Sequence, residues 1–167
     1  MRRSELDPKL SELASTLFAD ARDVLLVGVS GSLGEREVVV IDEPTEALAL
    51  ARRFGALLYR LPAETTVARL RTGLVALRPA LADGAVVLLA AEKRAPALDQ
   101  LRAVLAREPV PRARLDSLCE AVLLSGLVTP RVHEGVASSW LLLSAAVPAQ
   151  PCELDVFFAQ PAGNPSR

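Results

Sequence analysis

Two short, almost continuous apolar runs, Asp23–Val29 and Val38–Ile41, constrain the fold of this 167-residue chain more than any other feature. Runs of this kind are typical of strands that are covered on both faces of a sheet. Only the segment SGSLGER and Glu37 separate them. A parallel connection usually needs about a dozen residues, whereas an antiparallel pair needs only a few. The spacing therefore favours a hairpin, with at most one helical turn between the two strands.

Helix and strand patterns alternate along the rest of the chain. Apolar residues at helical spacing predict helices over Leu6–Ala21, Pro44–Phe54, Thr65–Leu77, Pro96–Arg107 and Arg114–Ser125. Shorter apolar runs predict strands over Ala56–Leu61, Ala85–Ala90, Thr129–Glu134 and Ser139–Val147. Gly55 is expected to end the second helix, and Gly135 to join the last two strands as a hairpin. This alternation predicts an α/β fold with helices on both faces of the sheet and an antiparallel C-terminal strand pair.

Length and composition predict one domain with an aliphatic core. Residues 1–148 make up the predicted domain, and residues 149–167 form a tail rich in Pro, Gly, Asn and Ser apart from Leu154–Phe158. Aromatic residues are only 4% of the chain, so few rings are available to stack on bases. The formal net charge of −1 gives no long-range attraction to phosphate backbones or anionic membranes. We therefore expect neither a nucleic-acid partner nor a membrane partner.

The remaining compositional signals concern compartment and metals. No apolar stretch approaches the roughly 20 residues that span a bilayer, and no signal-peptide pattern follows the two N-terminal arginines. The two cysteines, Cys119 and Cys152, fit a reducing compartment better than a disulfide framework. His133 is the only histidine, so no cluster has metal-ligand spacing. The sequence thus predicts a cytoplasmic protein without a metal site.

Three ordered blocks in the second half carry a family resemblance. The segments are VARLRTGLVALRPALADGAVVLLAAE, RLDSLCEAVLLSGLVTPRVHEG and SSWLLLSAAVP. They resemble, in order, the helix, Leu-Arg-Pro turn and strand, then the glycine-ended helix, then the last, antiparallel strand of class I S-adenosylmethionine-dependent methyltransferases. LCEAVLLSGLV is also similar to a segment of the anamorsin family, whose methyltransferase-like domain is associated with partner binding. The resemblance implies a Rossmann-like methyltransferase-type sheet, mainly parallel.

The first half resembles the same family but departs from its pattern. Glu37–Gly55 resembles the family's second strand-helix unit, in which Asp42 would accept the ribose hydroxyls of the cofactor. Gly28 and Gly31 stand where the family has its glycine loop, yet no helix follows them. The acidic residue that closes the family's first strand is replaced by valine, Val27 or Val29. A further strand of the family has no counterpart here, so the resemblance implies a degenerate cofactor pocket.

Each candidate site residue has a structural alternative. If the cofactor binds, Gly28, Gly31 and Asp42 would hold it. Tyr59, Glu64 and Glu92 would then lie on the substrate side, at the carboxyl ends of strands. The alternatives are a plain turn for the glycines and a helix cap for Asp42. Tyr59 and Arg60 would then be packing side chains, and Glu92 would lie in a solvated loop. His133 would be an exposed strand residue rather than a general base.

Two functions from different classes fit these observations. The favoured one is a non-catalytic scaffold or protein-interaction module that has lost the S-adenosylmethionine pocket and needs no cofactor, because the chain supplies few convergent polar groups. The alternative is an active methyltransferase with a rebuilt cofactor site. The module's expected partner is another protein, and a homo-oligomer is possible. Phe157 and Phe158 are the candidate contacts, since adjacent strand residues face opposite ways and one ring would be exposed; alternatively, the tail folds back and buries both.

Overall fold

The computed structural model describes residues 4–93, 97–107, 113–134 and 139–149. The strands are β1 (Ser4–Glu5), β2 (Asp23–Val27), β3 (Val29–Ser30), β4 (Glu37–Ile41), β5 (Phe54–Leu61), β6 (Leu81–Glu92), β7 (Val128–Val132) and β8 (Trp140–Ala146). The helices are α1 (Pro8–Leu17), α2 (Val67–Leu77), α3 (Ala97–Ala106) and α4 (Leu115–Leu124), and short 3-10 turns span Pro44–Ala49 and Arg78–Ala80. Phe157 and Phe158 lie outside the described residues, so their contacts stay predictions.

Six strands form one mixed sheet in the order β4-β2-β5-β6-β8-β7. β2 pairs in parallel with both β4 and β5, and β5 pairs in parallel with β6. β8 is antiparallel to both β6 and β7. The predicted architecture, mainly parallel with an antiparallel C-terminal pair, is confirmed. In the described ranges no helix combines the length and the apolar character needed to cross a membrane.

Helices cover both faces of the sheet, as predicted. On one face, α2 and α4 bury Leu70, Leu74 and Leu118 against β-strand residues such as Leu57 and Val87. On the other face, α1 buries apolar side chains spaced at i, i+4 and i+8, namely Leu10, Ala14 and Phe18, against the intervening strand residues. The two clusters alternate along each strand because successive side chains point to opposite faces. The core is therefore double-sided, with the sheet between its halves.

The predicted hairpin between β2 and β4 is wrong, because the two strands are parallel and adjacent. The connecting chain leaves the plane of the sheet: β3 pairs with β1, and Leu33 is buried on the α1 face. The Arg36 guanidinium then donates hydrogen bonds of 3.1 Å each to the carbonyls of Ser15, Phe18 and Leu33. A hydrogen-bonded loop thus replaces the usual crossover helix, and the predicted limit of one helical turn is confirmed.

The predicted helix over Pro44–Phe54 is also wrong in extent. Only Pro44–Ala49 is helical, as a 3-10 turn, and Leu50 is already extended. Phe54 is completely buried and pairs with Leu81, so Gly55 lies inside β5 and ends no helix. Burial of the ring favours the strand over another helical turn. Because no strand lies between β4 and β5 along the chain, the predicted absence of one family strand is confirmed.

Candidate functional site

The four parallel strands β2, β4, β5 and β6 end at one edge of the sheet, which we call the carboxyl edge. Open α/β sheets bind their ligands at this edge. The predicted residues Gly28, Asp42 and Glu92 lie at the ends of three of these strands, and Tyr59 lies near the end of the fourth. The structure therefore brings the predicted positions together along one edge. Their side chains do not form one site, because those of Glu92 and Tyr59 lie on opposite faces of the sheet.

The loop after β2 is occupied by the chain's own N-terminal segment. Gly28 has a positive φ of 72° and donates its N–H to the Ile41 carbonyl at 3.0 Å. Beyond it, the Leu6 N–H donates to the Ser30 carbonyl at 2.9 Å. A Cβ built on Gly31 would lie 2.8 Å from the Leu6 Cβ, so glycine here permits the close approach of another chain segment. The loop conformation follows the plain-turn alternative, because its glycines serve contacts within the protein.

Arg60 is the central side chain of the carboxyl edge. Its guanidinium forms an ion pair with Glu92, donates to the Gly28 carbonyl at 3.4 Å and lies with its Cζ 5.8 Å from the centre of the Trp140 ring. The side chains of the ion pair are only 17% and 19% exposed. These contacts link β2, β5, β6 and β8. We call Gly28, Arg60, Glu92 and Trp140 the edge cluster. Glu92 therefore lies in an ion pair and not in the solvated loop predicted as its alternative.

Sequence reasoning weighed Arg60, together with Tyr59, as a substrate-side residue or a packing side chain, and missed its position in this cluster. A signal was present, because a charged residue within the apolar run of β5 needs a partner when it is buried. The identity of that partner was hidden, since Arg60 and Glu92 are far apart in the sequence. Only the pairing of β5 with β6 brings the two side chains together.

Tyr59 faces the opposite side of the sheet, as the alternation of strand side chains requires. Its ring belongs to the core cluster beneath α2 and is only 8% exposed. Burial raises the pKa of Tyr59 from its ordinary 10.0 to about 12; the Glu43 carboxylate adds to this rise and the Arg69 guanidinium opposes it. The hydroxyl is therefore protonated at neutral pH and acts as a hydrogen-bond donor.

The remaining candidates do not converge with the edge cluster. Asp42 follows β4 and is half-buried, but the 3-10 turn is capped by Glu43, whose N–H donates to a Glu46 carboxylate oxygen at 2.9 Å. The N-cap position is therefore Glu43 and not Asp42, and the ribose contact of Asp42 stays a prediction. Glu64 is exposed in the loop between β5 and α2. In the part of the chain that the structure describes, no group of three or more potential metal ligands is present.

His133 belongs to neither environment. Its Nε2 lies 2.7 Å from the Ser144 Oγ, across the β7–β8 pair. Partial burial lowers the pKa of His133, and the nearby Arg131 lowers it further. Ser144 is only 6% exposed, so His133 gives a buried polar side chain its hydrogen-bond partner. The prediction of a merely exposed strand residue is wrong for this half-buried side chain.

Solved methyltransferase structures share this fold. PigF with SAH superposes with a TM-score of 0.60 at 12% identity, covering 84% of this chain and 62% of that one. An O-methyltransferase family protein from Burkholderia thailandensis gives 0.58 at 12% identity, covering 85% and 56%. The N-methyltransferase NodS from Bradyrhizobium japonicum WM9 gives 0.51 at 14% identity, covering 85% and 98%.

These similarities establish the fold and no more, because the identities are low. The chain spans 62% and 56% of the length of the first two structures. No protein-family model and no curated protein sequence matches it. The implied methyltransferase-like Rossmann fold is confirmed, whereas catalysis, cofactor and partners are separate questions.

Proposed function

We propose that this chain is a non-catalytic binding domain with a methyltransferase fold, in which the protein's own residues close the S-adenosylmethionine pocket. The observation that carries this proposal is the position of Arg60 at the carboxyl edge. Its guanidinium is held there by the Glu92 carboxylate and the Gly28 carbonyl. In this family the glycine loop at that edge would face the cofactor; here its first carbonyl faces a cation.

The chemistry of S-adenosylmethionine makes this edge unfavourable. S-adenosylmethionine carries a sulfonium, an ammonium and one carboxylate, so its net charge is positive, and like charges at short range repel each other in a partly desolvated site. Glu92 already pairs with Arg60. Val27, at the end of β2, and Val29, in β3, are buried and offer no carboxylate for the ammonium. Cofactor entry would have to separate Arg60 from Glu92 and would bring a ligand of net positive charge beside the Arg60 guanidinium.

The N-terminal segment adds a second barrier. β1 pairs with β3, and Leu6 contacts the backbone at Gly31. Opening the loop for a cofactor would require this pairing to separate. Two independent contacts, one by a side chain and one by the backbone, thus close the same edge.

The expected partner of the module is another protein, and self-association is one form of this. α3 presents Leu98, Leu101 and Leu105 on one side, each more than half exposed. We call these three residues the α3 stripe. Contiguous exposed apolar surface of this kind is typical of protein-binding surfaces, and amphipathic helices commonly bind through such anchors.

Calorimetric and thermal-shift titrations with S-adenosylmethionine and S-adenosylhomocysteine test the closed pocket. We expect no heat, no rise in unfolding temperature and no change in the fluorescence of Trp140, the only tryptophan. An active class I methyltransferase measured in parallel is the positive control. A ligand of the native state would stabilise it by about 2.7 kcal/mol at a hundredfold excess over its Kd.

A reproducible rise in unfolding temperature would contradict the closed pocket. Loss of that rise in Asp42→Ala would then assign the ribose contact and support the alternative of an active methyltransferase. In that case the glycines Gly28 and Gly31 and the substrate-side candidates Tyr59, Glu64 and Glu92 would be the next positions to substitute.

A further inference from the structure

A groove on the α2 side of the sheet is distinct from the edge cluster. It lies between the Pro44–Ala49 turn and α2, with Tyr59 at its floor. Pro44 and Thr45 line the turn side, and Ala68, Thr72 and Ala76 line the helix side. Its volume is about 370 Å³, within the range of about 300–1,000 Å³ typical of small-molecule sites. The groove has the size of a site for one small ligand.

Gly73 keeps the groove open over Tyr59. A Cβ built on Gly73 would lie 2.9 Å from the Tyr59 hydroxyl and 3.2 Å from the Pro44 Cγ. Glycine is disfavoured inside helices, yet it stands in the middle of α2. Its lack of a side chain lets the Tyr59 hydroxyl reach the groove beside the helix.

The polar groups of the groove carry both signs of charge. The Tyr59 hydroxyl, on a side chain that is 8% exposed, makes no hydrogen bond to any described residue. Arg69 lies on the helix side and Glu43 on the turn side, and both act electrostatically on Tyr59. Within the described ranges neither Arg69 nor Glu43 forms an ion pair. The groove thus offers one cation, one neutral donor and one anion, Glu43, which also caps the 3-10 turn.

We propose that this groove binds a small zwitterion with an apolar body, the class to which free hydrophobic amino acids belong. The carboxylate pairs with Arg69 and accepts a hydrogen bond from the Tyr59 hydroxyl, and the ammonium faces Glu43. The apolar body packs against Pro44 and Ala68. A ligand with only one charge fits less well. A carboxylate alone leaves Glu43 without a partner, and an ammonium alone leaves Arg69 without one.

The probes are L-phenylalanine and its two single-charge analogues, 3-phenylpropionate and 2-phenylethylamine. Tyr59 is the only tyrosine, so the NMR signals of a tyrosine-labelled ring report on this groove alone. We expect L-phenylalanine to shift these signals saturably at millimolar concentrations. Each analogue should bind about tenfold more weakly or worse, the usual effect of losing one charge-assisted hydrogen bond.

Arg69→Gln should weaken L-phenylalanine binding about tenfold or more. Arg71→Gln is the matched control, because Arg71 is also exposed on α2 but does not line the groove. Thr72→Leu should abolish binding by filling the groove. Circular dichroism of each variant checks that it is folded.

Absence of a saturable shift with L-phenylalanine overturns the proposal. Equal binding of the analogues, or equal effects of the two arginine substitutions, also overturns it. The closed pocket is tested separately, because Trp140 reports on the carboxyl edge and Tyr59 on the groove.

Discussion

Arg60 and Tyr59 are neighbours in one strand, yet they serve opposite sides of the sheet. Arg60 contributes a cation to the carboxyl edge, and Tyr59 contributes a ring to the core beneath α2. A buried cation is tolerated only when it is paired and hydrogen-bonded. Glu92 and the Gly28 carbonyl meet that need, while the Arg60 Nε has no hydrogen-bond partner among the residues that the structure describes. The pair should therefore matter for stability as well as for closing the edge.

Glu92→Gln should lower the free energy of unfolding by about 1–3 kcal/mol, because it leaves the Arg60 guanidinium without its counter-ion. The double substitution Arg60→Met with Glu92→Leu should recover most of this loss, since apolar residues remove both charges together. Asp83→Asn is the control: its carboxylate lies 3.9 Å from Arg78 in an exposed pair. Urea unfolding measures all three. A loss in Glu92→Gln no larger than in Asp83→Asn would contradict the buried role.

The ionisation of Tyr59 gives a prediction at high pH. Burial raises the pKa of Tyr59 to about 12 in the folded chain, against 10.0 for the ordinary group. The folded state therefore binds this proton more tightly, and stability present below pH 10 is lost as the pH rises toward 12. Two pKa units correspond to about 2.7 kcal/mol. Absorbance at the tyrosinate band follows the titration directly, since the chain has one tyrosine.

Tyr59→Phe should remove the part of the alkaline stability loss that belongs to this group. Urea unfolding from pH 9 to pH 12 compares the variant with the wild type. A tyrosine absorbance midpoint near pH 10 would mean that the hydroxyl is solvated, and would contradict the burial argument.

At the scale of elements, α2 packs closely against Tyr59 and Pro44 at the position of Gly73. Gly73→Ala should gain up to about 1 kcal/mol of helix propensity, but its Cβ would meet the Tyr59 hydroxyl. In the Tyr59→Phe background the nearest atom is removed, and the Pro44 Cγ at 3.2 Å and the ring Cε1 at 3.3 Å remain. We therefore expect a coupling free energy of at least about 0.5 kcal/mol between the two substitutions, with Gly73→Ala more favourable in Tyr59→Phe. Simple additivity in a double-mutant cycle would refute the contact.

The exposed side of α3 gives a second prediction for one element. Replacing the three residues of the α3 stripe by glutamine should change the free energy of unfolding by only about 0.5 kcal/mol per site or less, because exposed side chains contribute little to folding. The variant should also bind less of an apolar fluorescent dye than the wild type. A loss of several kcal/mol would show that the stripe packs within the domain and is not a binding surface.

Elements with one clear periodicity were predictable from the sequence. The apolar runs of β2 and β6 and the stripe of α2 appear where expected, and Gly126, with φ 74°, follows α4 where the resemblance implies a glycine-ended helix. The spacing between β2 and β4 gave the wrong pairing direction, because it does not show that Arg36 in the connecting loop bonds carbonyls of distant residues. Local spacing indicates which residues form strands, whereas pairing direction depends on contacts that spacing does not encode.

The same limit applies to the candidate site. Sequence order correctly placed Gly28, Asp42 and Glu92 at the ends of strands, because that position follows from chain direction alone. It could not show that Arg60 reaches Glu92, or that Tyr59 opens into a groove beside Gly73. Those relations arise from side-chain direction on paired strands and from helix packing.

At the scale of the whole molecule, β7 and β4 are the two outer strands of the sheet, and they differ in sequence. β7 is exposed along its length and contains Pro130, which cannot donate to another strand. β4 ends the parallel side, and the Glu37 carboxylate forms an ion pair with Arg52 beside it. Charge and proline at sheet edges disfavour pairing with other chains. These edges favour association, where it occurs, through helical surfaces.

The final prediction concerns the face of the sheet that α1 covers. Among the described helices, α1 supplies the side chains buried on that face. Phe18→Ala removes a ring that is 1% exposed and should cost about 3–5 kcal/mol. That is a large part of the roughly 5–15 kcal/mol that stabilises a domain. Because both core clusters share one sheet, the loss should destabilise the whole molecule. Trp140 fluorescence and far-UV circular dichroism should then shift to the same lower urea midpoint.

Leu48→Ala, at a side chain that is 65% exposed, is the control and should change stability by about 0.5 kcal/mol or less. A shift of the Trp140 transition alone would mean that the α1 face unfolds separately, and that the two halves of the core do not form one cooperative unit.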